Sequence, residues 1–263
     1  MAKAIWSGHI QTGMISVPVK LYTATEEKDV AFTNIHTGCG TQRKMKSWCP
    51  THDTEVFKEN LQRAYAWSKT EFVVIEDADL DGLPVATKYT ISLDNFVEPQ
   101  EIDRVYCDKT YWLEPEEAGA RPYRLIMGTL ERKGLVAVAK IALRNKERVC
   151  LLRPYNGVMV LETMFWPDEV RNMTSGAVLP DILISDLEAA TADMLIDMLR
   201  EPFDIHTYRD EYRLALLAMI EAKKNNTPTP TPVAEITLKP PTDLMTAMKI
   251  MMEQIKKQKG KIA

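Results

Sequence analysis

The chain has 263 residues, 45% hydrophobic and 27% charged, with a formal net charge of −4, a balance that supports a sizeable globular core. No apolar run approaches the ~20 residues of a membrane span. The opening MAKAIWSGHI lacks the long apolar stretch of a secretory leader, so a cytoplasmic protein without a membrane partner is expected.

The charge is segregated. Residues 71–120 hold thirteen acidic and three basic residues, whereas residues 121–153 hold nine basic residues against Glu131 and Glu147. Residues 249–263 add five lysines against Glu253. Such a chain can present a basic surface while remaining acidic overall.

The first two-thirds read mostly as strand. Gly13–Leu21 is rich in β-branched residues and bounded by a turn residue. His36-Thr37-Gly38-Cys39-Gly40 follows, and after nine intervening residues Cys49-Pro50-Thr51-His52. Two ligand-x-x-ligand knuckles of this kind suit tetrahedral zinc, with His36, Cys39, Cys49 and His52 as ligands. All four positions are then filled, so the expected role of Zn2+ is structural. The alternative is a surface hairpin with incidental Cys and His. Cys107 and Cys150 lie in strand-like contexts and read as small core residues.

Phe72–Ile75 is a further short strand. Asp77-Ala78-Asp79-Leu80-Asp81-Gly82 imitates a calcium loop, but its twelfth position is Lys88 in place of a bidentate Glu. Capping of a short helix or turn accounts for it better. Lys88–Phe96 continues the strand pattern, and Leu135–Leu143 with Val149–Leu152 reads as a hairpin with a charged connection. Many short strands with polar turns favour a β-barrel or sandwich.

The pattern then becomes helical. Ser185–Leu199 places Leu187, Met194, Leu195 and Met198 near one face behind a Ser185 or Asp186 cap, and Tyr208–Lys224 is a second helix. Pro228, Pro230 and Pro232 alternate in a stretch that suits an extended spacer over 225–241. The last helix, Thr242–Lys259, carries Leu244, Met245, Met248, Met251, Met252 and Ile255 on one stripe. Tethered behind a stiff linker, it has no neighbour of its own and is shaped to dock on a partner.

No catalytic arrangement emerges. There is no phosphate-cradling Gly-rich loop with Lys, no nucleophile elbow and no nuclease-like cluster of His and carboxylates. His9 and His206 stand alone.

Five segments carry a resemblance. They are Ala4-Ile5-Trp6-Ser7-Gly8 leading to Val17–Thr25; Lys109-Thr110-Tyr111-Trp112-Leu113-Glu114-Pro115; Leu143–Arg148; Trp166-Pro167-Asp168-Glu169-Val170-Arg171; and Tyr208-Arg209-Asp210-Glu211-Tyr212. In this order and over nearly the whole chain, they resemble prokaryotic Ku proteins. The resemblance implies a β-rich α+β fold: a Ku-type β-barrel core with dimerisation arms forming a ring, and a helical C-terminal part. The expected organisation is a core over 1–224 with a zinc-knuckle hairpin at 36–52, the linker at 225–241, and a partner-docking helix with a short basic tail at 242–263.

It further implies a non-enzymatic, nucleoid-associated homodimer that encircles double-stranded DNA ends and stimulates an ATP-dependent repair ligase, DNA ligase D. A ring needs a free end to enter and contacts phosphates rather than bases. The expected lining cations are Lys140, Arg144, Lys146, Arg148 and Arg153, with Arg43, Lys44 and Lys46 as outer contacts. The acidic stretch 71–120 is expected to face away from the phosphates.

Overall fold

A two-residue turn starts the chain's first hairpin. In the computed structural model, which describes residues 3–82, 89–143, 146–171, 182–227 and 244–262, β1 (Trp6–Thr12) pairs antiparallel with β2 (Ile15–Thr23), Thr12 lying opposite Ile15. Gly13 takes φ of +54°, the left-handed region that a residue without Cβ enters freely. The sequence pattern pointed to one strand from Gly13; the structure adds a strand before it. Gly8 in β1 is also required by close approach, because a Cβ there would collide with the Tyr89 carbonyl oxygen.

Residues 24–75 contain two small sheets and a single 3-10 turn at Lys58–Asn60. β3 (Trp48–Cys49) pairs with β4 (Thr54–Glu55), and β5 (Ala64–Ala66) with β6 (Phe72–Val74). The acidic run then forms a five-residue helix, α1 (Asp77–Asp81), closed by a reciprocal capping box between Glu76 and Asp79. Two-stranded sheets of this length bury little by themselves. Met45, Phe57 and Trp67 accordingly remain 85%, 63% and 74% exposed.

The remaining strands are β7 (Thr90–Val97), β8 (Cys107–Pro115), β9 (Val136–Leu143), β10 (Lys146–Tyr155) and β11 (Val158–Met164), with helix α2 (Ala120–Lys133) between β8 and β9. They close a barrel in the order β1-β2-β8-β11-β10-β9-β7, sealed by a parallel β1–β7 pair. Closure removes the sheet edges that an open sandwich would leave. Alternate residues point inward: Ala137, Ala139 and Ile141 from β9, Cys150 and Leu152 from β10, Met159 and Leu161 from β11, all essentially inaccessible. Burial pushes the Cys150 thiol well above the ordinary cysteine range.

Helix α2 was not legible as a helix in the strand-rich first part. It packs Tyr123 and Leu130 into the barrel core, with Ile126 and Met127 partly buried beside them. Gly134, at φ of +66°, ends it in the left-handed conformation common after helices. The Tyr123 hydroxyl donates to the Leu113 carbonyl and accepts from the Met159 N–H, each at 2.6 Å.

The chain divides into two units, Met1–Lys28 with Phe32–Asn172, and Asp29–Ala31 with Met173–Ala263. The second contains α3 (Asp186–Leu199), α4 (Glu211–Lys224) and α5 (Leu244–Ile262). Ser185 caps α3 through a reciprocal box with Glu188, and Asp210 caps α4. One expectation changes here. Helix α5 does have a neighbour, for it packs on α3. Met245, Met248, Met252 and Ile255 are half-buried, whereas Met251 is 46% exposed. The Leu244 side chain, and linker residues 228–241, lie outside the described part.

Candidate nucleic-acid interface

The two knuckles form as local turns. His36 N–H donates to the Thr41 carbonyl at 2.9 Å and Gly40 N–H to the His36 carbonyl at 2.8 Å. In the second, Cys49 and Thr54 pair across the β3–β4 hairpin. Each ligand pair is followed by a left-handed residue, Gly40 at φ of +67° and Asp53 at +50°. His36 Nδ1 lies 3.3 Å from Cys39 Sγ, and His52 Nδ1 lies 3.4 Å from Cys49 Sγ. Sulfur and nitrogen ligands of one tetrahedral zinc stand about 3.5 Å apart, so each pair fits one ion.

Both thiols are held below the ordinary cysteine range. Hydrogen bonding with the Thr41 hydroxyl, then with its backbone, lowers that of Cys39. The backbone N–H of His52 leads in lowering that of Cys49. The structure does not, however, gather the four expected ligands, since no group of three or more potential ligands forms among the described residues. His36 and Cys39 make one half-site, Cys49 and His52 another. His36, Cys39 and His52 are exposed and Cys49 is half-buried.

Strand register scatters the expected DNA-binding cations. Lys140 projects from the outer wall of β9, opposite Ser92 and Val149. Arg148 shares the inward parity of Cys150 and Leu152 and bonds Asp108 at 3.0 Å near the barrel end. Lys146 joins it beside a cavity of roughly 720 Å³, which Lys109, Glu26 and Glu27 also line. Arg153 lies on the outer wall, bonded to Glu162 Oε1 at 3.0 Å and 2.5 Å. Its guanidinium sits 5.3 Å from the centre of the Tyr155 ring, which packs against Trp112. Lys46 pairs with Glu55 at 2.6 Å. Arg43 and Lys44 are exposed, and Arg144 lies outside the described residues.

Three of the expected cations therefore carry carboxylate partners, and a phosphate must compete with those. Arg121, Arg124, Arg132 and Lys133 belong to the same basic segment of the sequence. The structure puts all four on the exposed side of α2. The signal that could have found them is Tyr123, Ile126, Met127 and Leu130, an i, i+3, i+4, i+7 stripe ahead of Gly134.

The family model described as the Ku70/Ku80 beta-barrel domain matches residues 11–195. A protein named Non-homologous end joining protein Ku from Heliobacterium modesticaldum is 33% identical over 264 residues, covering 100% of this chain and 96% of that protein. Its namesake from Symbiobacterium thermophilum is 36% identical over 261 residues, covering 98% of this chain. The chain spans 64% of that relative's length and 56% of the one from Frankia casuarinae. The SPOC domain of human PHD-finger protein 3 superposes with a TM-score of 0.30 at 12% identity, covering 62% of this chain and 95% of that one, a likeness too loose to support any argument.

Proposed function

The chain belongs to the Ku family, and we propose that it binds double-stranded DNA ends without sequence preference, as a homodimeric ring that serves non-homologous end joining. The family match over 11–195 carries this reading. The chain acts as a scaffold, and an ATP-dependent ligase of the ligase D type supplies the chemistry.

Residues 24–75, taken as the arm of this reading, offer a surface for dimerisation. Trp48 and Phe72, on sheets too small to bury them, and Phe57 and Trp67, just outside those strands, are 56–74% exposed. A second copy supplying the same surface would cover them in an isologous contact. Two such arms meeting over two barrels leave an opening that only a free duplex end can enter. Contacts then fall on phosphates, so affinity depends steeply on salt and little on base sequence.

Comparing linear duplex with covalently closed circles of the same sequence at matched salt tests this. Linear DNA is expected to bind far more tightly. Equal affinity for both forms would sink the ring and favour a zinc-hairpin regulator that reads bases from the side.

Zinc joining the two half-sites into one His36–Cys39–Cys49–His52 centre is part of the proposal. The ion would draw the exposed knuckles together and hold the arm's tip through metal–ligand bonds in place of a core. Metal analysis of protein purified without chelators is expected to find about one zinc per chain. The bound ion should shield Cys39 and Cys49 from alkylation, while Cys150 stays silent until unfolding because it is buried. A metal-free chain would refute the zinc centre and leave DNA binding standing.

Ligase recruitment falls to α5, whose apolar stripe is the tethered surface in the last segment. The exposed Ile250 and Met251 offer a first contact to such a partner.

A further inference from the structure

The outward face of α2 carries charge that no described residue answers with an ion pair. At about 100° per residue, Arg121, Arg124, Gly128 and Arg132 fall within an arc of about 80°, opposite the core-facing Tyr123 and Leu130. Arg121, Arg124, Arg132 and the neighbouring Lys133 are exposed, with Leu125 beside them. None of the four cations forms an ion pair among the described residues. Arg148, Arg153 and Lys46 differ in having carboxylate partners.

Three features of this helix are locally unfavourable. Arg121 stands in a first turn with no acidic residue and no side-chain cap, so its charge meets the positive end of the helix dipole. Arg124 follows one turn later and adds to the same field. Gly128 occupies the helix interior, where only proline is a poorer former. A Cβ at Gly128 would meet nothing within 4 Å, so packing among the described residues does not call for a glycine.

A phosphate backbone resolves all three at once. The dipole end and the arginines attract it, and the bare Gly128 lets it approach the helix closely. Arg121 to Arg132 spans about 16 Å along the axis, the rise of four or five phosphates on one strand of a duplex. The buried Tyr123 hydroxyl bridge fixes the helix to the barrel, so the face is presented rigidly.

We propose that the α2 arginine face is a contact surface for the phosphates of duplex DNA, an assignment that rests on the DNA-binding reading above. It adds a second basic surface to the β9–β10 cations and places it on a helix in place of the strands.

Fluorescence anisotropy of the full chain on linear duplex, across a salt series, tests it. R121A/R124A/R132A should bind at least tenfold more weakly at moderate salt. Its plot of log affinity against log salt should be shallower by about 2–3, near 0.9 per lost phosphate contact. G128L should weaken binding while its melting temperature holds or rises, since the new side chain projects into open space. Those opposed shifts separate contact from folding. Wild-type affinity and slope in both variants would overturn the α2 assignment alone. Failure of the unaltered chain to bind duplex at any salt would overturn the functional reading itself.

Discussion

Tyr123→Ala lowers the unfolding free energy by about 3–5 kcal/mol, the range for deleting a buried aromatic side chain. Tyr123 is 3% exposed and belongs to the barrel core. Its hydroxyl also serves two backbone groups, the Leu113 carbonyl and the Met159 N–H. Burial pushes the phenol above the ordinary tyrosine range, so it stays protonated and keeps its donor. Removing the ring leaves a cavity and strands that donor–acceptor pair. For a domain whose total stability is about 5–15 kcal/mol, this is a large fraction.

Tyr123→Phe keeps the ring and loses only the bridge, at about 1–3 kcal/mol. Urea denaturation measures both, and an unchanged m-value confirms that the effect is on stability. A Tyr123→Ala loss below about 1 kcal/mol would mean that the site collapses around the deletion and that Tyr123 does not anchor α2. The pair also bears on the α2 face: Tyr123→Phe, still folded, should retain affinity for duplex, since no arginine is touched.

What was legible in the sequence is what local chemistry decides. A Ser185 or Asp186 cap announces the start of α3; the structure gives the role to Ser185 and adds a reciprocal bond from Glu188. The β9–β10 hairpin was visible because its apolar runs flank a short polar turn. Its charged residues Lys146–Arg148 nevertheless belong to the strand, where Lys146 pairs with Leu143. The knuckle turns were legible for the same reason, each closing within five residues. Helix α2 was hidden because its stripe is one face of a short element set among strands, and Gly128 breaks the impression of a helix former.

Partnerships between distant positions were not legible. Arg148 finds Asp108 forty residues earlier in the chain, a pairing set by strand order. Arg153 meets Glu162 only because the β10–β11 register places Arg153 opposite Val160, on the same outer face as Glu162. A sequence shows where cations are dense but not which of them a carboxylate already holds. That is why the α2 cations, unpaired among the described residues, do not stand out from the rest of the basic segment in the sequence.

A chain cut after residue 241 is expected to keep its affinity for linear duplex and to lose stimulation of a cognate ATP-dependent ligase down to the ligase-alone level. The cut removes α5 and its lysines, and leaves the barrel, its arm and the α2 face. Because α5 packs on α3, it also uncovers that part of α3, so the second unit should melt at a lower temperature. Full stimulation by the shortened chain would remove α5 from recruitment. Met251→Glu separates the two roles of the helix. Met251 is 46% exposed, so a charge there spoils an apolar contact with a partner while sparing the half-buried Met245, Met248, Met252 and Ile255. Reduced stimulation with unchanged melting places docking on the exposed edge, with α5 still seated on α3. Full stimulation by Met251→Glu, alongside loss in the shortened chain, places docking on the half-buried stripe, and α5 must then leave α3 before the ligase can bind.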